Sequence, residues 1–380
     1  MRIALRSNLW HPNTKQSIQN NAFWRVRLGI ITIIKHDGVS MKKIKVVVVG
    51  YGYWGPNLVR NILLNNDYEL MYVVDSDENR AKLASEKHGV LTKSSVHEIP
   101  ELQSIDLAVI ATRPSSHLEL VSLFADFNVD CLVAKPSGKS KQDAISIKDI
   151  SKSKNIKVYC DFTYHFSAYI NFLLEDVKAQ TIISNMREYV SYRTSLGIIQ
   201  ADVDVVADLA VHDIYILKLL KGKMPSRVSA LSLGTGPGEQ VESAFINLVW
   251  ADGFRAALHV SWKSPRKSRL ISIISDNAGI TLEELNQQAP IQIVEITPGF
   301  QSSTNLGPEL VKTRNESYSI GSIEQPTIPP GESLAIEFEA LVDALRHNGQ
   351  FPSISDAVDV WSVVESIRKS IENDGETVDI

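Results

Sequence analysis

Between residues 41 and about 160, short apolar runs alternate with stretches whose apolar residues recur every three or four positions. The runs at 44–49, 69–74, 107–111, 130–134 and 156–160 read as strands, and 56–65, 78–88, 115–127 and 140–153 read as helices. Apolar strands alternating with helices specify a doubly wound parallel sheet. Beyond 160 the rhythm changes. The stretches 184–193, 227–233, 241–250, 254–261, 270–275 and 291–296 read as strands in succession, mostly without intervening helices. That pattern predicts one large, mainly antiparallel sheet. Helices are expected at 166–178, 202–221, 332–348 and 355–373, and a long loop at 298–330, where Gly, Ser, Asn and Pro accumulate. The fold class is therefore α/β. A parallel-sheet domain over 41–160 precedes an α+β domain with an open antiparallel sheet over 161–380, and a site that needs both lies at their seam.

The turn after the first strand carries the most specific chemistry. Lys45–Gly55 reads KVVVVGYGYWG, so a strand buried on both faces runs into Gly50-Tyr-Gly52-Tyr53-Trp54-Gly55 and then a helix. In the order strand, G-x-G-x-x-G, helix, these glycines permit a tight turn, close approach to a pyrophosphate and close helix–strand packing. The phosphates would rest on the unpaired N–H groups of the helix N-terminus. The next strand ends in Asp75, about 20 residues on, where an adenosine ribose requires a hydrogen-bond acceptor. A carboxylate there repels a 2′-phosphate, so NAD is expected over NADP, while Arg80 blurs the preference. This half of the chain reads as a Rossmann domain.

Ligands in such a sheet bind beyond the strand C-termini. Ala134-Lys135-Pro136 ends the fifth predicted strand, which aims the Lys135 ammonium into the cofactor crevice; the alternative is a solvated lysine. Ala111-Thr112-Arg-Pro114-Ser-Ser-His117 ends the fourth. Thr112 and Pro114 are expected against the cofactor, and His117 either meets the ribose or packs.

The predicted helix 202–221 is the second strong signal. Asp208 and His212, spaced i, i+4, share one face, and Asp204 and Tyr215 extend that line. A carboxylate beside a buried imidazole orients it and raises its pKa, which suits a general acid/base. Asp213 is expected to face outward or to cap. Lys263, Arg266, Lys267 and Arg269 cluster after a strand, where they could meet an anionic substrate such as a nucleotide diphosphate or form a solvated turn. Tyr164, His165 and Arg193, near strand ends, are further substrate candidates.

Composition narrows the setting. The chain has 380 residues, a net charge of −5 and two cysteines, Cys131 and Cys160. The charge gives no nucleic-acid footprint. The cysteines lack metal spacing and read as buried strand residues, so neither a metal nor a disulfide framework is expected, and a reducing cytoplasm is. No run of 18 apolar residues suits a membrane span. Residues 1–40 carry six Lys and Arg against one acid and precede Met41-Lys-Lys-Ile. They read as an upstream extension from a misassigned start, disordered or loosely attached; a targeting segment is the alternative.

Taken together, Gly50-x-Gly52-x-x-Gly55, Asp75, Thr112-x-Pro114-x-x-His117, Lys135-Pro136 and Asp208-x-x-x-His212 resemble the glucose–fructose oxidoreductase / inositol dehydrogenase / rhizopine-catabolism (Gfo/Idh/MocA) family over about residues 43–380. The resemblance implies a Rossmann domain plus a second domain whose open sheet mediates homodimers or homotetramers. It implies hydride exchange between a nicotinamide and a secondary alcohol of a sugar, inositol or nucleotide-sugar. By position, Lys135 is similar to the active-site lysine of the family's Glu-Lys-Pro motif, His212 to the acid/base and Asp208 to its partner; Ala134 stands where the family usually has Glu. The phrases Asp208-Leu-Ala-Val-His212-Asp213 and Ser261-Trp-x-x-Pro265-x-Lys267-x-Arg269 are most similar to a subgroup acting on surface-polysaccharide sugars, including UDP-N-acetylglucosamine 3-dehydrogenases. The expected function is thus NAD(P)-dependent oxidoreduction of a UDP-N-acetyl-sugar. Inositol or polyol oxidation, keto-deoxysugar reduction and a non-catalytic dinucleotide sensor are the alternatives.

Overall fold

The computed structural model describes residues 42–197, 199–236, 240–302 and 314–380. The expectation for residues 1–40 lies outside the described residues.

Strand β1 (Ile44–Val49) shows why the first sheet forms. Val47 and Val49 enter one core cluster, and Val46 and Val48 enter another on the opposite face. Branched side chains are stiff and suit a pleated strand, and burying each is worth about 1.5–3 kcal/mol. Five more strands join it: β2 (Tyr68–Val74), β3 (Thr92–Lys93), β4 (Leu107–Ile110), β5 (Asp130–Ala134) and β6 (Val158–Asp161). Their order is β3-β2-β1-β4-β5-β6, and every pair is parallel. The chain order reverses between β1 and β4, which opens a crevice beyond their C-terminal ends. β3, with two residues, is too short to carry a readable apolar pattern.

The second sheet contains β7 (Glu188–Leu196), β8 (Arg227–Thr235), β9 (Val241–Val249), β10 (Arg255–Ser261), β11 (Lys263–Ile274), β12 (Ala278–Glu283), β13 (Ile291–Ser302), β14 (Arg314–Glu324) and β15 (Val378–Asp379). Its order is β14-β13-β12-β11-β7-β10-β9-β8-β15. All neighbours are antiparallel except β7 and β10.

Four expectations need correction. The loop expected at 298–330 contains much of the β13–β14 ribbon; its strands are held by a backbone ladder and need no apolar composition. The strand expected at 270–275 begins at Lys263, so the basic cluster lies in a bulged strand rather than a turn. The helix expected at 166–178 breaks into Ala168–Glu175 and Val177–Ser184, because Asp176 turns extended and caps the second piece through Ala179 N–H. Lastly, the boundary expected at 160/161 is crossed again. Helix Ser333–His347 places Leu334, Phe338, Leu341 and Ala344 in the same core as Val46 and Val48. Tyr68 Oη donates to Phe338 O at 2.7 Å, and Cys160 N–H to Pro352 O at 2.9 Å. This part of the chain covers one face of the first sheet.

Both cysteines are buried and unpaired. Among the described residues no helix is long and apolar enough to cross a membrane, and no group of His, Cys, Asp and Glu could hold a metal.

Candidate active site

The glycine turn closes by backbone contact. Gly50 has φ +100°, and a Cβ on it would lie 2.7 Å from Ala111 O. A Cβ on Gly55 would lie 2.3 Å from Gly50 O, so only glycine lets helix Gly55–Leu64 start so close to the strand. Around Gly52 the nearest atom to a Cβ would be Arg80 Nη1 at 3.7 Å. Backbone is therefore accessible there, and the helix start beyond it has no side-chain cap. A dinucleotide pyrophosphate fits that combination of open backbone and uncapped N–H groups.

Asp75 directly follows β2 and is buried. It accepts Tyr51 N–H at 2.7 Å and Asp77 N–H at 2.9 Å, which orients its carboxylate between the glycine turn and the next helix. Arg80 lies over Gly52 and leans on Asp77, with 3.7 Å between Nε and Oδ2. Tyr53 stands in solvent at 80% exposure and is not packed on the turn. Trp54 donates its indole N–H to Asp161 Oδ2 at 2.6 Å, while Thr163 donates to Oδ1 at 2.7 Å. Behind them Glu337 is wholly buried, and burial followed by the charge of Asp161 raises its pKa well above the carboxylate range.

His117 is wholly buried, which decides between its two readings. Gly138 N–H donates to Nδ1 at 3.2 Å, so Nε2 carries the proton and donates to Thr112 O at 3.1 Å. Burial pushes its pKa down to about 4. His117 pins the loop after β4 to the loop after β5 and does not face a ribose. In the first of these loops, Thr112 Oγ1 accepts from Ser116 Oγ at 2.7 Å, and Pro114 opens a single 3₁₀ turn. The second loop begins with Lys135 and Pro136.

Lys135 crosses the seam. Its Nζ donates to Asp208 O at 2.8 Å and to Asp208 Oδ1 at 2.9 Å, and Trp262 Nε1 donates to Oδ2 at 2.9 Å. The expected Asp208–His212 pair is thereby corrected: both carboxylate oxygens face other partners. The cause is a π turn over Val206–Ala210, ahead of helix Val211–Lys221. A π turn holds an extra residue, so positions i and i+4 no longer stack. His212 instead sits beside the Tyr164 ring, centroid to centroid 5.2 Å. The expected direction of its pKa is corrected too. Burial first, then Lys135, Arg193 and Arg269, push it well below the ordinary histidine value. Asp204 and Tyr215 leave the reactive line: Asp204 caps Ala207 and pairs with Arg368, while Tyr215 stacks on Phe162 and bonds His165.

Asp213 does not face outward. It is fully buried and receives Arg193 Nε at 2.7 Å and Nη2 at 3.3 Å, with Tyr189 Oη at 3.3 Å. Arg193 Nη1 also reaches Tyr164 Oη at 2.5 Å, and Tyr164 donates to Glu284 Oε2 at 2.9 Å. Tyr164 and Arg193 therefore lie together beside His212, in the candidate site. Lys263 and Lys267 are exposed, and Lys263 pairs with buried Glu242. Sequence reasoning missed Trp262 and Glu284 as site residues. Their contacts span 54 and 120 positions, and no local spacing signals them.

A parallel sheet in the order 3-2-1-4-5-6 with a glycine turn at its switch point defines a dinucleotide-binding α/β protein. Residues 44–162 match the Gfo/Idh/MocA model, described as "Oxidoreductase family, NAD-binding Rossmann fold". A segment of 113 residues is 30% identical to an uncharacterized oxidoreductase of Streptococcus pneumoniae serotype 4 (strain ATCC BAA-334 / TIGR4), and spans 30% of this chain and 30% of that relative. Solved structures share the fold over more of the chain. GenD2 from gentamicin A biosynthesis, in complex with NAD, has a TM-score of 0.71 at 17% identity, over 90% of this chain and 98% of its own. UDP-N-acetylglucosamine 3-dehydrogenase GnnA from Acidithiobacillus ferrooxidans has 0.69 at 18%, over 88% and 99%. A putative myo-inositol dehydrogenase from Sinorhizobium meliloti 1021 has 0.69 at 15%, over 89% and 100%.

Proposed function

We propose that this protein is an NAD(P)-dependent dehydrogenase that exchanges hydride with a secondary alcohol carbon of a sugar, its substrate class being UDP-N-acetyl-sugars for surface polysaccharide. The observation that carries the reading is the Lys135–Asp208 pair, which brings an ammonium from the nucleotide domain against the helix that bears His212.

A dinucleotide held at the glycine turn and Asp75 would supply the nicotinamide that takes up or returns the hydride. His212, held neutral by burial and three nearby cations, takes the hydroxyl proton during oxidation and returns it during reduction. Lys135 donates to the same oxygen as alkoxide character develops. Asp208 positions Lys135, through both its carboxylate and its carbonyl oxygen. Trp262 fixes the second oxygen of that carboxylate, so the carboxylate is held from both sides.

The open face of the second sheet supports a homodimer or homotetramer. Leu231, Phe245, His259 and Tyr192 are direct neighbours across four strands. Leu231, Phe245 and Tyr192 are 54%, 45% and 41% exposed, a row of apolar surface suited to a second copy. Two free buried thiols fit a cytoplasmic setting.

The test follows nicotinamide absorbance with NAD⁺ and with NADP⁺ against UDP-sugars and inositols. Reduction of NAD⁺ by a UDP-N-acetyl-sugar is the expected result. Turnover of inositol alone would move the substrate class. Silence throughout, in the reverse direction with a keto-sugar as well, would overturn the dehydrogenase reading.

A further inference from the structure

The site holds a second cluster that proton and hydride transfer do not use. Arg193 and Arg269 face one another as direct partners of the β7–β11 ladder. Like charges directly opposite in a sheet are unfavourable, so each needs an anion. Arg193 has one, the two-point pair with Asp213. Arg269 does not. Its Nη1 is used on two backbone carbonyls, Thr194 O at 3.2 Å and Ser268 O at 2.8 Å. Among the described residues, no acceptor meets its Nε or Nη2, and no carboxylate forms an ion pair with it. That edge of a guanidinium is the one that grips a carboxylate or phosphate at two points.

Glu284 is the complement. Its Oε2 accepts from Tyr164, and its Oε1 is buried without a partner. Tyr164 is the ring beside His212, so the open acceptor lies two contacts from the proposed acid/base. Burial first and then the charge of Arg193 lower the pKa of Arg269, against smaller opposing effects of Tyr164, Glu284 and Asp213.

We propose that Arg269 pairs through Nε and Nη2 with an anionic group of the substrate, carboxylate or phosphate, and that Glu284 Oε1 accepts a hydrogen bond from a neighbouring hydroxyl or amide of the same molecule. This rests on the sugar-dehydrogenase reading and narrows its substrate to an anionic sugar.

The test is binding to the NADH-loaded protein, measured by calorimetry for wild type, Arg269→Met, Arg269→Lys and Glu284→Gln. The probes are UDP-glucuronic acid, UDP-N-acetylglucosamine, free glucuronate and myo-inositol. Arg269→Met should weaken anionic probes by about 10- to 100-fold, the loss of a charge-assisted pair. Arg269→Lys should recover part of that loss, and NADH affinity should hold in both. A loss confined to the two glucuronates identifies a carboxylate; an equal loss for both UDP-sugars, with free glucuronate unmoved, identifies the diphosphate. Anionic probes bound within about twofold of wild type by Arg269→Met, or bound by neither protein, would overturn the inference. Turnover is scored separately. Arg269-dependent binding without turnover would leave the anion site standing and remove the dehydrogenase reading.

Discussion

The two sides of the seam are built differently. On the nucleotide side, chemistry is carried by backbone: three glycines, an uncapped helix start and one carboxylate set by two N–H groups. All of it comes from a stretch of about thirty residues. On the proposed substrate side, the candidate groups are side chains from loops, a π turn, the helix that follows it and two strands, with Lys135 reaching 73 positions to Asp208. A backbone site tolerates little variation at its glycines and leaves a local signature. A side-chain site can be retuned residue by residue and leaves almost none.

Four substitutions test this contrast, the largest effect first. His212→Asn should lower kcat by about 10²- to 10⁴-fold if it moves the proton, with NADH affinity unchanged; steady-state kinetics and NADH fluorescence separate the two. A comparable loss of NADH affinity would mean that the two sides are not independent. Asp213→Asn should cost about 3–5 kcal/mol of stability, because it strands the Arg193 guanidinium in the interior. Urea unfolding reads this directly, and a shift under 1 kcal/mol would show that water reaches the pair.

The third test uses pH. His117 titrates at about 4 in the folded protein against the ordinary 6.5, so the unfolded chain binds the proton first. Its contribution is intact above about pH 6.5 and is lost as pH falls towards 4, by about 3 kcal/mol in all. His117→Asn should flatten that part of the stability-versus-pH curve; an unchanged slope would assign the titration elsewhere. The smallest effect belongs to Trp54→Phe, which removes only the indole donor to Asp161. It should weaken NADH binding by about 1 kcal/mol or less and leave kcat in place. A loss in kcat instead would tie the glycine turn to the chemistry.

What was legible follows the same division. β1 spans Ile44–Val49, as its valine run predicts, because a strand buried on both faces needs no context to be read. Asp75 and the glycines lie where their spacing puts them. Helix formation near 202–221 was readable too, but its pairings were not. One extra residue in the π turn rotates Asp208 away from His212, and intrinsic propensity carries no trace of it. Asp213 looked external because its partner, Arg193, lies on a strand 20 positions earlier. Helix Ser333–His347 shows the same limit at the scale of a domain. Its apolar stripe suits either sheet, and only the assembled core decides.

That helix also sets an order of events. A ribosome releases the first sheet long before it releases Leu334, Phe338 and Leu341, which complete one of its two cores. Until then Val46, Val48, Leu58 and Ile62 lack their cover. Through most of synthesis the nascent nucleotide domain is expected to expose that apolar face. A chain cut after residue 162 is expected to precipitate or stay bound to chaperones rather than yield a small dinucleotide-binding protein.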